Sequence, residues 1–327
     1  MPTSLLASLS GFELPKEAVV PMLKAFRLTN TMLDAAFYDT AILYGALLER
    51  GSVIVAQAQN STADISARAA LNKLDLSALA NPEDAILVVD PRRPPFISQP
   101  YHTVEAFLRD SAGVQTLSLT GVGSSALGSA AFAWNISEAL SKPVAAIVPG
   151  YGLADVVHQA LGGWFGFGLH DWIRRETQEI LAATAPELAK LGRNLLAADP
   201  DRPRNADTGA PLFRQGSVGS DTLHAILRGS SGITQVVGHS KGALSIANAI
   251  RSLPASTTQP LSVVTFGCTI APEIKVARYD QHLGWIDGLG ILNSWKNKPN
   301  HWLFSHHSTN TLVPLSMAVK TLMPPSA

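Results

Sequence analysis

Residues 233–242 read Ile-Thr-Gln-Val-Val-Gly-His-Ser-Lys-Gly, and this stretch gives the clearest indication of the fold in the whole sequence. Its opening run of β-branched side chains predicts a short buried strand. Beyond Gly242, apolar side chains recur at helical spacing. They are Ala243, Leu244, Ile246, Ala247, Ile250 and Leu253. A G-x-S-x-G pattern between a strand and a helix predicts a sharp turn that carries Ser240 at its tip.

The chemistry of this turn depends on its glycines. Side chains at Gly238 and Gly242 would collide with the neighbouring strand and helix, so glycine is needed for the turn to tighten. The turn lifts the Ser240 hydroxyl above the sheet edge, where the helix N-terminus favours negative charge. The backbone N–H of Lys241 can then face an oxyanion. We predict a serine nucleophile; the alternative is an ordinary strand-to-helix turn with incidental glycines.

The chain around the motif alternates short apolar runs with segments long enough for helices. The runs occupy residues 85–89, 114–120, 144–148, 233–237, 261–266 and 302–306. This alternation predicts an α/β fold, in which helices cover both faces of a mostly parallel sheet. We expect an N-terminal helical segment on the core, a core in two parts, and an insertion. These are residues 1–83, residues 84–152 with 233–327, and residues 153–232.

The N-terminal segment shows helical periodicity of its own. Apolar residues follow i, i+3, i+4 spacing, which predicts the helix face that packs on the core. They are Leu33, Ala36, Phe37, Tyr44 and Leu48. Gly51 is the predicted end of this helix. The alternative is a helix that binds a partner.

The insertion is too long to be a plain loop, because connections beyond about 15 residues usually hold structure of their own. It contains a glycine-rich aromatic stretch with Trp164, Phe165 and Phe167. We expect a helical lid that lines the substrate pocket with these rings. The alternative is a helical subdomain with a small core of its own.

Composition excludes several function classes. Basic and acidic residues balance at 25 each, so there is no basic surplus for binding nucleic acid. Cys268 is the single cysteine, which excludes an internal disulfide framework and a multi-cysteine metal site. The sequence shows neither a secretory signal nor an apolar run of about 18 residues. We therefore expect no transmembrane segment and a cytoplasmic location (signal-free export stays open), and we predict no metal or cofactor.

Three stretches of the sequence resemble the α/β-hydrolase family. Residues 236–242 are similar to its nucleophile turn, and residues 148–155 resemble the segment after its fourth core strand. Residues 263–267 resemble the strand that follows the serine in triacylglycerol lipases. The resemblance covers roughly residues 84–320. It implies an α/β-hydrolase fold and a serine hydrolase that cleaves small-molecule or lipid esters, with an acyl-enzyme on Ser240 and no cofactor. The apolar lid favours a lipophilic acyl group.

The resemblance also implies an oxyanion hole. The family's oxyanion loop follows the third core strand, which here leads into residues 120–125. The Val122 N–H is then the second oxyanion donor beside that of Lys241; a donor from residue 150 or 151 is the alternative. The expected pocket residues near this loop are Gly121, Gly123 and Tyr151.

The same loop permits a rival interpretation. Gly121-x-Gly123-x-x-Ala126 fits the dinucleotide fingerprint between a strand and a helix, which predicts a nucleotide-binding oxidoreductase. That fingerprint needs an acidic residue at the end of the next strand to hold the ribose. The nearest acid here is Asp155, which lies beyond a turn. The loop also lies in the middle of the chain rather than after an opening strand.

The serine needs a base and an acid, and both follow it in α/β-hydrolases. His306 and His307 end the last apolar run, so we predict that one of them is the base, with His307 preferred. The stretch that carries the acid in many family members has Asn310 at that position. The remaining acids are Glu273, Asp280 and Asp287, and we select Asp287. A solvated carboxylate, a Ser–His dyad, and a non-catalytic or acyl-transferring protein stay as alternatives.

Overall fold

The structure is a computed structural model that describes residues 25, 28–29, 31–59, 85–121, 123–149, 218–251, 253–271, 274–294 and 297–324. Its strands are β1 (Ile86–Val89), β2 (Thr116–Leu119), β3 (Val144–Ile147), β4 (Gln235–His239), β5 (Ser262–Phe266), β6 (Arg278–Gly284) and β7 (His301–Leu303). Its helices are α1 (Thr40–Gln59), α2 (Val104–Asp110), α3 (Ala126–Leu140), α4 (Val218–Gly229), α5 (Lys241–Ile250), α6 (Ala255–Thr258), α7 (Gly288–Asn293) and α8 (Val319–Leu322). A helical segment at 31–37 precedes α1.

The seven described strands form one sheet in the order β1-β3-β2-β4-β5-β6-β7. β1 runs antiparallel to β3, and every other neighbouring pair is parallel. The central strands β2, β3 and β4 are buried on both faces, including the polar residues of β2 and β4. The predicted α/β class with a mostly parallel sheet is therefore confirmed.

Helices cover the sheet on both faces and enclose two apolar cores. On one face α1, α3 and α8 pack around Phe132 and Trp134, which are fully buried. On the other face α2, α4 and α5 pack around Phe107, Leu223 and Ile246. Burying side chains of this size stabilises the fold by about 1.5–3 kcal/mol each.

The connections of two central strands diverge at the carboxyl edge of the sheet. β2 and β4 are neighbours, but α3 leaves β2 on one face and α5 leaves β4 on the other. Ligands of open α/β sheets bind where connections diverge in this way. The loop that begins at Thr120 and the turn at Ser240 both emerge at this point.

Two strands differ from the sequence expectation at the β6–β7 edge. No strand was expected at 278–284, because β6 carries few apolar residues. Its Gln281 is nevertheless buried, because the side-chain amide accepts from the Ile270 N–H at 2.7 Å and donates to the Ile270 carbonyl at 3.2 Å. The last run, predicted at 302–306, forms a strand only over β7, because the chain turns away from the sheet after Leu303.

The N-terminal helices also correct the sequence expectation. α1 continues through Gly51, so the predicted end there is wrong. The predicted core-facing residues Leu33, Ala36, Tyr44 and Leu48 are exposed, whereas Tyr38, Leu43 and Leu47 are buried. The reason is a break at residues 38–39, which shifts the phase of the periodicity between the two helical stretches.

Most of the predicted insertion, residues 153–217, lies outside the described residues. Its last part is α4, and Leu223, Ile226 and Leu227 of that helix are buried in the sheet's second core. Of the helices that the structure describes, none has both the length and the hydropathy needed to span a bilayer.

We predict opposite effects for two glycine-to-alanine substitutions. A Cβ at Gly242 would overlap the backbone carbonyls of Leu119 and Thr120, whereas a Cβ at Gly45 in α1 would meet no atom within 4 Å. Gly242→Ala should therefore lower the free energy of unfolding by about 1–3 kcal/mol. Gly45→Ala should raise it by about 0.5–1 kcal/mol. Urea unfolding of both variants measures this, and equal effects would contradict the close approach of α5 to β2.

Candidate active site

Ser240 lies in a strained turn between β4 and α5. Its φ is +56° and its ψ is −126°, a conformation that costs a non-glycine residue about 1–3 kcal/mol. The Ser240 N–H donates to the Phe266 carbonyl at 2.9 Å, and the Ser240 carbonyl accepts from the Ala243 N–H at 3.0 Å. These bonds, together with the close packing of Gly238 on Ala243, hold the serine in this conformation.

The strained turn places the Ser240 hydroxyl beside an imidazole. Ser240 Oγ lies 2.8 Å from His307 Nε2. On the opposite side of the ring, His307 Nδ1 lies 2.9 Å from both carboxylate oxygens of Asp287. All three residues are buried. A proton on Nδ1 is shared with the carboxylate, which leaves Nε2 free to accept the serine proton.

Asp287 is fixed by the helix that follows it. It is the N-cap residue of α7, and its Oδ1 accepts the Gly290 N–H at 2.6 Å. An N-cap side chain commonly accepts such a bond from the first turn of its helix. The carboxylate therefore has partners on both sides, namely the helix backbone and the imidazole of His307.

The end of β5 makes room for the base. Gly267 follows β5 with a φ of +65°, in the left-handed region that favours glycine. A Cβ there would lie 3.0 Å from His307 Nδ1. The ring of Phe37 meets His307 edge-on at 6.0 Å between centroids.

A chain of hydrogen bonds connects the N-terminal segment to the site. The Tyr38 hydroxyl accepts the Gly121 N–H at 2.7 Å and lies 2.8 Å from His239 Nδ1. His239 Nε2 lies 2.9 Å from the His307 carbonyl. Since a carbonyl can only accept, His239 carries its proton on Nε2, and Tyr38 donates to Nδ1. Tyr38 therefore ties the loop after β2 to the residue before the serine and, through it, to the base.

This chain is uncharged. Burial, together with a smaller effect of the neighbouring His307, lowers the pKa of His239 from its ordinary 6.5 to about 3, against a hydrogen bond to the His307 backbone. Burial also raises the pKa of Tyr38 well above 10.0. Tyr38 and His239 are neutral, and each donates and accepts a fixed hydrogen bond. They therefore hold the backbone of the site in place without adding a charge near the serine.

The loop after β2 has a second support from the N-terminal segment. Asp34 is buried beneath it and accepts the Ser125 N–H at 2.7 Å, at the start of α3. Burial raises the pKa of Asp34 from 3.8 to about 7, although hydrogen bonds from Ser125 and Ser124 oppose the rise. The N-terminal end of α3 is therefore already occupied by a carboxyl group of the chain itself.

The structure brings together some of the predicted site residues and separates others. His306 faces away, since its Nε2 donates to the Pro314 carbonyl at 2.8 Å and its Nδ1 accepts the Ser308 N–H at 3.0 Å. Asn310 donates to the Ala35 carbonyl at 2.6 Å. Both side chains are thus bonded away from the serine, whereas His307 contacts the serine and Asp287 contacts His307.

The predicted oxyanion and pocket residues are described only in part. Lys241 is buried and begins α5 directly after the serine. Gly121 lies against the serine, because a Cβ there would be 3.3 Å from Ser240 Cβ. Gly123 has a φ of +64°. The predictions for Val122, Tyr151, Trp164, Phe165 and Phe167 fall on residues outside the described part of the chain.

Sequence reasoning missed Tyr38 and Asp34. Both precede the α/β core and were counted as part of a helix that merely covers it. The signal in the sequence is the stretch Phe-Tyr-Asp-Thr at 37–40, where a tyrosine and an aspartate interrupt the helical pattern. This pattern does not indicate which residues the tyrosine contacts.

We predict that Tyr38→Phe destabilises the protein by about 1–3 kcal/mol. Loss of the hydroxyl leaves the Gly121 N–H and His239 Nδ1 buried without partners. Urea unfolding measures the change, with Tyr44→Phe on an exposed position of α1 as the matched control. A loss no larger than in the control would show that the hydroxyl does not hold this loop.

We also predict a pH dependence of stability that arises from His239. Its folded pKa of about 3 lies below the ordinary 6.5, so between these values the unfolded chain binds a proton that the folded chain does not. The contribution of His239 to stability must fall as the pH drops from 6.5 towards 3, by up to about 1.4 kcal/mol per pH unit, whereas the raised pKa of Asp34 contributes with the opposite sign. His239→Gln should reduce this slope, and His102→Gln, at an exposed histidine, should not. Unfolding free energies at pH 7, 6 and 5 give the slopes; equal slopes would contradict a buried neutral His239.

Comparison with known proteins gives no match for the chain. No protein-family model, curated protein or solved structure matches it. The contacts of Ser240, His307 and Asp287 are therefore the basis on which a function is assigned.

Proposed function

We propose that this protein is a serine hydrolase that cleaves carboxylic esters through an acyl-enzyme on Ser240. One observation carries the proposal: the Ser240 hydroxyl, the His307 imidazole and the Asp287 carboxylate are connected by contacts of 2.8 and 2.9 Å. Their order along the chain, serine then aspartate then histidine, is the order of α/β-hydrolases. Together with the strand–turn–helix around Ser240 and the mostly parallel sheet, it supports membership of that family.

The reaction follows from these three side chains. Ser240 Oγ attacks the ester carbonyl while His307 Nε2 takes the hydroxyl proton. The carboxylate of Asp287 stabilises the imidazolium that forms. His307 then gives the proton to the departing alcohol, which leaves the acyl group on Ser240. Water, deprotonated by the same nitrogen, releases the acid and restores the serine.

The oxyanion donors in this proposal are the N–H groups of Lys241 and Val122. The Lys241 N–H begins α5 next to the serine, where the helix N-terminus favours negative charge. Gly121 brings the loop after β2 within van der Waals distance of the serine, which supports a donor from the next residue. The bonds of Tyr38 and Asp34 to this loop would keep it preorganised.

We base the proposed preference for a lipophilic acyl group on the aromatic composition of the insertion. The aromatic residues Trp164, Phe165 and Phe167, with Tyr151, are proposed to line the acyl pocket as part of a helical lid. Such a pocket discriminates between acyl chains by about 0.8 kcal/mol for each methylene that it buries. An esterase or lipase is therefore preferred to a peptidase.

The oxidoreductase alternative is opposed by a specific contact. A dinucleotide would place its pyrophosphate at the N-terminus of α3. The Asp34 carboxyl group already accepts the Ser125 N–H there, at 2.7 Å. An acidic group at this position competes with a phosphate for the same donor and, when ionised, repels it.

A non-catalytic or acyl-transferring protein is the remaining alternative. The contact of the buried Asp287 carboxylate with His307 argues against an incomplete triad, which was the reason for this alternative. Transfer to an alcohol uses the same acyl-enzyme as hydrolysis. Adding acceptor alcohols to the assay separates the two outcomes.

We expect Ser240→Ala to lower kcat for p-nitrophenyl esters by at least about 10⁴-fold, with unchanged circular dichroism. His306→Ala is the matched control, because His306 is adjacent to the base in sequence but faces Pro314. It should retain most of the activity. In the wild-type protein, kcat/KM should increase as the acyl chain lengthens from acetyl to octanoyl.

A fluorophosphonate probe provides an independent readout of the same serine. Ser240 is only 4% exposed, so labelling tests directly whether an ester-sized molecule reaches the hydroxyl. Mass spectrometry should locate the adduct on Ser240. Turnover that persists in Ser240→Ala, or a wild-type protein that neither labels nor turns over, would refute the proposal.

A further inference from the structure

A second cluster of polar side chains lies at the edge of the sheet away from Ser240. Asp280 and His282 are alternate residues of β6, so their side chains leave the same face of the sheet. His301 begins β7 and is the direct neighbour of His282 in the parallel pair. Two adjacent strands therefore present one carboxylate and two imidazoles to the same space.

The atoms that could bind a ligand converge. His301 Nε2 lies 2.6 Å from Asp280 Oδ1, and His282 Nε2 lies 3.5 Å from the same oxygen. One ligand atom from each residue lies within 4.8 Å of the other two. The Arg278 guanidinium lies 3.7 Å from the other carboxylate oxygen of Asp280, Oδ2, so Arg278 pairs with Oδ2 rather than with Oδ1.

The buried imidazole of the cluster lacks hydrogen bonds. Among the described residues, neither ring nitrogen of His282 has a hydrogen-bond partner, and Asp280 Oδ1 has only its contacts with the two imidazoles of the cluster. His282 is only 4% exposed. Leaving such groups unpaired costs about 1–3 kcal/mol each, which is why buried polar atoms nearly always have a partner. A bound ion would satisfy Asp280 Oδ1 and one His282 nitrogen together.

Packing prevents His282 from turning towards water instead. Its ring is stacked between Phe266 at 4.9 Å and His301 at 4.7 Å, with interplanar angles of 10° and 18°. Phe266 belongs to the buried core around Phe132. The imidazole is thus fixed by its neighbours, with Nε2 facing the carboxylate of Asp280.

We propose that Asp280, His282 and His301 bind a divalent transition-metal ion of the zinc type. Two imidazole nitrogens and one carboxylate oxygen suit zinc, whereas calcium and magnesium prefer oxygen ligands. His301 is half-exposed and gives the ion a path from solvent. Tetrahedral zinc ligands lie about 3.3 Å apart, so His301 would move outward by less than about 1 Å. Water completes the coordination.

The ion would connect the two strands that lead to the acid and the base. β6 ends at Gly284, three residues before Asp287, and β7 ends at Leu303, four residues before His307. A metal bridge between β6 and β7 holds these strands in register. Its role is structural, and it takes no part in the chemistry at Ser240.

Metal binding to the full-length, tag-free protein tests the proposal. After dialysis against a chelator, titration calorimetry with zinc chloride should show one site, and zinc should raise the Tm. Cobalt should give the visible absorption of a tetrahedral site. His301→Ala and Asp280→Asn should weaken zinc binding by at least about 100-fold and abolish the rise in Tm.

Two control variants separate this site from other possibilities. His102→Ala removes an exposed histidine outside the cluster and should leave zinc binding unchanged. Ser240→Ala should also bind zinc as the wild type does, so the result does not depend on ester hydrolysis. Absence of stoichiometric zinc binding, or binding that survives both cluster substitutions, would overturn the proposal.

Discussion

The hydrogen bond between Ser240 Oγ and His307 Nε2 is the interaction on which the site depends, because it joins two loops that approach from different strands. The serine is held by backbone strain at the end of β4. The histidine is held from three sides: Asp287 binds its ring, His239 binds its carbonyl, and Phe37 packs against its edge. Each support restricts the imidazole to the one position from which it can accept the serine proton.

Much of the sheet could be predicted from sequence, because most of its strands carry short runs of apolar and β-branched residues between segments long enough for helices. β6 could not, since the residues that it buries include a glutamine, whose amide is satisfied by Ile270, and a histidine. The same limit applied to the site. The glycines around Ser240 predict the turn from local sequence alone. Which histidine contacts the serine, His306 or His307, and which acid contacts that histidine depend on the paths of two loops beyond the sheet.

The N-terminal segment shows a different limit of sequence patterns. Helical spacing predicts a core-facing set of Leu33, Ala36, Phe37, Tyr44 and Leu48. Only Phe37 packs against the core, and the helix is broken at residues 38–39. At that break Tyr38 reaches Gly121 and His239, so an irregularity that spoils the periodicity creates a contact with the site. Helical periodicity therefore fails here for a physical reason, which is the contact between an irregular stretch of backbone and the loop after β2.

The contacts between residues 35–39 and 308–311 have a consequence for how the protein is made. Ser308, Thr309 and Asn310 bind the backbone of the helix that precedes α1, across 272 to 275 positions of the chain. A growing polypeptide cannot form these contacts until residues 308–310 have left the ribosome. His307 precedes them directly, so Ser240 emerges well before the imidazole that it contacts. The site therefore assembles only after about 67 further residues have been made, and long-range closure of this kind is expected to be slow.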